Sequence, residues 1–218
     1  MAKKLTNAKL GIYLFVFFAV WTIRELVFYP MLLEWLGNGV AFQFVESAIK
    51  LLVWTLPALL LIRHYEADLW LGLKAQFINR PKWFREAPLL LVVFVPILRS
   101  LLFNRGFAVS PAFEPAALIG TVLFVGITEE IVFRGWLLNA QLKRMKLWPA
   151  IAVNGVLFVV IHYPIWITHG HDISVFLLGS VSIFLLSAVF SYSFVKTKNI
   201  FVPIVLHMLW NLFVGLLG

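Results

Sequence analysis

The stretch Thr128-Glu129-Glu130-Ile131-Val132-Phe133-Arg134-Gly135-Trp136 sets two carboxylates and a guanidinium inside an apolar run. A charge near the middle of a bilayer costs about 2.5–3.5 kcal/mol on insertion scales, so such residues face a protein interior and are functional candidates by default. On a helix, Glu130 and Arg134 are four residues apart and share a face, with the acid first, the favourable order for a pair. Glu129 is rotated roughly 100° from its neighbour. It is the carboxylate left to meet something else.

The chain around this stretch has 218 residues, 62% hydrophobic and 13% charged. Soluble domains carry about 25% charged residues. The composition therefore excludes a soluble protein and gives an all-α, polytopic membrane helix bundle of about seven transmembrane helices at roughly 20 residues each. The apolar runs fall at residues 10–28, 41–62, 87–103, 115–145, 147–167, 173–195 and 200–217. An eighth half-buried element inside residues 63–86 stays open. No cleavage site follows the first run, which reads as a retained span. Cysteine is absent, which excludes disulfides, a thiol nucleophile and thiolate metal sites.

Charge sets the orientation. With the N-terminus inside, the tail and residues 63–86, 143–146 and 196–198 hold 13 of the 18 Lys and Arg, and the opposite loops hold only Arg105. The positive-inside rule then places the N-terminus in the cytoplasm and the C-terminus outside. The same distribution explains the net charge of +8 without a nucleic-acid partner. Residues 63–86 (Arg63, Lys74, Arg80, Lys82 and Arg85, with Trp70, Trp83 and Phe84 between) read as a basic amphipathic segment on anionic lipid. Arg24 and Glu25 read as interfacial side chains that snorkel, Glu46 and Lys50 as a pair that satisfies itself, and Pro57 as a kink. Small residues in 173–195 permit close helix packing. Residues 1–114 form N-terminal membrane helices and 115–218 a membrane core around the charged stretch, in one bundle. No internal repeat is evident, so a transporter of inverted halves that uses Glu129 as a proton site has little support.

Depth gathers the polar residues. Glu129 lies roughly 21 Å along its helix from Lys143, and His162 roughly 21 Å from Trp148. His207 and Asn211 lie roughly 10 and 16 Å beyond Ile200. Four polar residues from three spans thus share one layer. His207 and Asn211 share a helix face, and Phe158 sits one turn before His162 to buttress its ring. This set suits hydrolysis. Glu129 and His162 can orient and deprotonate a water, while His207 and Asn211 can donate hydrogen bonds to the oxyanion of a tetrahedral intermediate. A His-Glu-x-x-His zinc motif is missing. Gly179-Ser180 lacks a base on its own helix. His169, His171 and Asp172 read as a solvated outer loop.

These residues resemble the CAAX prenyl protease and bacteriocin-processing (CPBP, or Abi) family of intramembrane proteases. Its Glu-Glu-x-x-x-Arg motif matches Glu129, Glu130 and Arg134, its Phe-x-x-x-His motif Phe158 and His162, and its His-x-x-x-Asn motif His207 and Asn211. The resemblance runs from about Pro115 to Phe213. It implies that Glu129 and His162 activate water, that His207 and Asn211 form the oxyanion hole, and that Glu130 and Arg134 hold the site together. The preferred mechanism has no cofactor. The alternative is a divalent metal such as zinc on Glu129, His162 and His207. The expected partners are the lipid bilayer and a peptide or membrane-protein substrate, prenylated or not, and the expected location is a bacterial plasma membrane. The competing reading is a non-catalytic immunity or regulatory protein that binds a peptide toxin or membrane partner.

Overall fold

The computed structural model describes residues 4–82, 87–103 and 108–217. The described residues form helices and turns, with no strand among them. The order is α1 (Asn7–Leu36), α2 (Val40–His64), a short α3 (Leu73–Ile78), α4 (Ala87–Leu102), α5 (Pro115–Leu142), α6 (Leu147–Thr168), α7 (Ile173–Thr197) and α8 (Phe201–Leu217). Helices α1, α2, α5, α6 and α7 are long and apolar enough to cross a membrane, and α4 and α8 are shorter apolar helices. The surface is inverted relative to a soluble protein. Phe15, Leu102 and Leu178 are exposed, whereas Arg24, Glu25, Glu46, Lys50, Glu129, Glu130, Arg134, Asn154 and His207 are buried. Lipid is as apolar as leucine, so polar side chains between helices do the joining that water would otherwise enforce. The chain is an integral membrane protein.

Successive helices alternate between two ends. At one end, Asn38 Nδ2 donates to Glu114 at 2.5 Å and the Ser110 N–H donates to the Leu216 carbonyl at 2.7 Å. The opposite end carries the basic segments. There the Leu5 N–H meets Asp68 at 2.6 Å, Arg144 meets the Leu5 carbonyl at 2.6 Å, and the Ile200 N–H meets the Gln76 carbonyl at 2.8 Å.

Helix α5 is the axis of the bundle, with every residue from Thr128 to Gln141 buried. Thr55 joins α2 to it through Thr128 at 3.0 Å. Asn154 on α6 donates to the Phe133 carbonyl at 2.9 Å. Gly126 lets α8 come close, because a Cβ there would sit 2.9 Å from Met208 Cγ and 3.6 Å from the Ile204 carbonyl oxygen.

Two sequence expectations change. The first span continues past Tyr29-Pro30 to Leu36, so residues 31–36 are helix rather than connection. A π-helical turn over Arg24–Phe28 precedes Pro30, and another over Leu51–Thr55 precedes Pro57. Each proline lacks an N–H for the carbonyl four residues back, those of Leu26 and Val53. Both carbonyls fall inside π turns, where pairing runs to the fifth residue ahead. The helices therefore run through. Second, this extension moves Arg24 and Glu25 from the last turn of α1 to its middle. They are 6% and 4% exposed rather than interfacial. The described part of residues 63–86, read from the sequence as an amphipathic segment, also packs on the bundle. Asn139 on α5 clasps it, accepting from the Leu71 N–H at 2.8 Å and donating to the Leu71 carbonyl at 2.7 Å. Trp70 packs edge-on to Phe194, with centroids 6.1 Å apart. Lys3, Trp83, Phe84, Arg85 and Arg105 lie outside the described residues.

Candidate active site

The two adjacent carboxylates of α5 have different surroundings. Glu130 is fully buried. Its Oε1 accepts from Arg134 Nη1 at 2.9 Å, the four-residue pair the sequence suggests, and lies 2.8 Å from His207 Nδ1 on α8. Arg134 goes further, with Nη2 donating to the Ser187 carbonyl at 3.1 Å and hydroxyl at 2.8 Å on α7. Its guanidinium lies 4.5 Å from the Phe158 ring centroid and 5.4 Å from that of Phe190. Cations over aromatic faces gain most where water is excluded. Arg134, Glu130 and His207 thus form a chain that fixes α5 against α7 and α8.

His207 is oriented by this chain. With Nδ1–H donating to Glu130, the other nitrogen is left for the site, and Nε2 lies 3.9 Å from Glu129 Oε2. The ring stacks on Phe190 at 4.9 Å. A hydrogen bond to one ring nitrogen decides what the other can do.

Glu129 is 7% exposed, and its Oε2 is buried without a hydrogen-bond partner. A buried polar atom left unpaired calls for an explanation, and a water or substrate position is one. Glu129 and His162 line the same cavity of about 300 Å³.

His162 sits where α6 is interrupted. The regular helix ends at Val160, and Pro164 opens the next segment, Tyr163–Thr168. Across the break the His162 N–H turns to the Val159 carbonyl at 3.0 Å. The Phe158 carbonyl, which a regular helix would pair with that N–H, instead faces His162 Nδ1 at 2.8 Å. A carbonyl only accepts, so Nδ1 holds the proton and Nε2 keeps its lone pair. Phe158 also packs edge-on to the His162 ring at 5.1 Å, the buttress read from the sequence. The neighbouring break carbonyl, Ile161, accepts from Trp21 Nε1 at 3.0 Å and so joins α1 to this corner.

Asn211 lies one turn beyond His207. Its Nδ2 donates to the Thr121 carbonyl of α5 at 2.9 Å rather than meeting Glu129 or His162. Thr121 itself lines the cavity. The structure thus brings Glu129, His162 and His207 together directly and Asn211 through the cavity wall. Among the described residues, no three or more His, Cys, Asp or Glu side chains form a group able to hold a metal ion.

The cavity's far wall comes from the N-terminal half. Arg24 pairs with Glu25 and Glu46, and Lys50 Nζ lies 2.8 Å from Glu46 Oε1. All four side chains are buried and line the cavity. Arg24 and Lys50 both lie within electrostatic reach of Glu129. The spacing of Glu46 and Lys50 correctly gives their pairing, but nothing in the sequence joins them to Arg24. An almost wholly apolar groove of about 660 Å³ between α1 and α2 meets the cavity at Arg24, Tyr29 and Glu46.

A family model for type II CAAX prenyl endopeptidases, Rce1-like, matches residues 111–213. Over that stretch, just under half of the chain, the sequence is similar to the CAAX-protease family. The matched region holds all three motifs: the Glu129–Arg134 stretch, Phe158 with His162, and His207 with Asn211. The match supports a CAAX-type membrane endopeptidase at the level of the family. No curated protein and no solved structure matches the chain. The charged wall made by α1 and α2 lies outside the matched region.

Proposed function

We propose that the chain is an intramembrane endopeptidase that hydrolyses a peptide bond with a water held between Glu129 and His162. The observation that carries this reading is the unpartnered, buried Oε2 of Glu129 in a cavity shared with the lone-pair nitrogen of His162. Water bound there gives one proton to the base as its oxygen attacks the scissile carbonyl carbon. The carbonyl oxygen becomes an oxyanion. Collapse breaks the C–N bond, and the proton passes to the leaving amine, giving a carboxylic acid and an amine.

His207 and Asn211 are the oxyanion donors in this reading. Asn211 has a second N–H besides the one on Thr121. His207 presents Nε2 to the site, with Glu130 on the other nitrogen. Glu130 and Arg134 are positioning residues. The apolar groove that meets the cavity at Arg24, Tyr29 and Glu46 supports a substrate that is itself membrane-embedded, prenylated or not. The small, all-membrane build supports a bacterial plasma membrane as the location.

The test compares peptides released by cells carrying the wild-type chain or Glu129→Gln at matched membrane levels, read by mass spectrometry. Loss of a positioned general base costs about 10²–10⁴-fold, so products of the wild-type chain should fall at least a hundredfold. Equal product with both chains would move the assignment to a non-catalytic binding protein.

A further inference from the structure

The cavity is one-sided. Its lining runs from Glu129, Lys50 and Arg24 at mid-depth to Gln43, Thr121 and His169, all near the end that carries Asn38 and Glu114. Along α5 and at the end of α6 exposure rises toward that end, from buried Glu129 through half-buried Val125 to exposed Thr121 and His169, while Gln43 on α2 stays buried. Toward the basic end, Glu129 is followed by an aromatic layer. Trp21 and Trp54 meet at 4.9 Å, Phe17 and Phe133 at 5.8 Å, and Phe133 and Phe158 at 4.9 Å. All five rings are at most 4% exposed. Interiors packed to this density leave no room for a file of water.

We infer that water and the scissile segment reach Glu129 from the face opposite the basic loops. By the positive-inside rule that face is extracytoplasmic. Resting on the hydrolase reading above, the substrate is then a membrane-anchored polypeptide cut on its extracytoplasmic side, not a cytoplasmic tail.

The absence of cysteine makes the route directly measurable. Thr121→Cys and Val125→Cys are expressed singly in the full chain, with His171→Cys marking the outer loop and Met145→Cys the basic end. Intact cells receive a small, charged, membrane-impermeant thiol reagent. Thr121→Cys, Val125→Cys and His171→Cys should label fully without permeabilisation, and Met145→Cys only after it. Labelling of both Thr121→Cys and Val125→Cys solely after permeabilisation overturns the inference and leaves the hydrolase reading intact. Labelling from outside, together with unchanged product from Glu129→Gln, overturns the substrate assignment through the hydrolase reading alone.

Discussion

Replacing Arg134 with Met tests whether the Arg134–Glu130–His207 chain holds the bundle or merely occupies it. Arg134 is fully buried and makes one ion pair and two hydrogen bonds, to Glu130 and to both oxygens of Ser187. The methionine keeps much of the volume between Phe158 and Phe190 but removes every donor. Glu130 is then a buried carboxylate whose Oε2 has no partner and whose Oε1 keeps only His207. Breaking a buried pair from one side costs about 3–5 kcal/mol. An interhelical hydrogen bond in a membrane averages only about 0.6 kcal/mol, with an upper value of about 1.7. Arg134→Met should therefore destabilise by about 3–5 kcal/mol, and Ser187→Ala by no more than about 1.7. The first shifts the folding equilibrium at least about a hundredfold. Glu130→Gln in the Arg134→Met background should restore much of the loss, since it removes the stranded charge. Reversible unfolding in mixed micelles, followed by the fluorescence of the nine tryptophans, reads all three. The reasoning fails if Arg134→Met costs no more than Ser187→Ala, or if the double variant is no more stable than Arg134→Met.

Three more perturbations follow from the contacts. Gly126→Val drives two methyls toward Met208 and α8; a displacement of 1 Å at His207 would lower cleavage about 10²-fold, while Gly126→Ala, met mainly by the flexible Met208 side chain, should do less, both read in the peptide-release assay. Asn139→Leu removes the two-point clasp on Leu71 and the bond to the Gly135 carbonyl; stranding those groups costs about 1–3 kcal/mol, and limited proteolysis within residues 65–82 should quicken. Asp172 caps α7, and bonds from Ser174 and Val175 hold its carboxyl below the usual carboxylate range. A lowered folded-state pKa means that this cap stabilises fully above the unfolded value near about 4 and is lost as pH falls through the folded value; amide exchange in the first turn of α7 should speed up below pH of about 4 in the wild type and show no such step in Asp172→Asn.

The α5 site was legible because charge in an apolar run is expensive and must be used. Glu129, Glu130 and Arg134 declare themselves by cost, and the four-residue spacings give Glu130–Arg134 and Glu46–Lys50 as pairs. The break at His162 was half legible: Pro164 marks it, but only the observed turn shows that the Phe158 carbonyl sets the tautomer. The far wall was not legible. Its placement depends on α1 continuing past Pro30 through a π turn, and no periodicity encodes a π turn. With the span ended at Pro30, Arg24 sits at an interface and snorkels; with six further residues of helix it lines the cavity across from Glu129. The role of Asn139 was equally hidden, since one amide meeting one distant backbone residue leaves no pattern in the chain.

The adjacent pair Glu129-Glu130 shows how one motif yields two chemistries. Neighbours on a helix must face about 100° apart, so they cannot share partners. Glu130 turns to α7 and α8, where Arg134 and His207 take its Oε1, and it is closed off from the cavity. Glu129 turns to α1, α2 and α6, where it meets a cavity and keeps a free oxygen. Two carboxylates in one hydrophobic segment would repel if both were left unpaired. Arg134 offsets one, and Arg24 and Lys50 stand across the cavity from the other. The N-terminal helices are then part of the site's electrostatics, since α1 and α2 supply the two cations that line the cavity with Glu129.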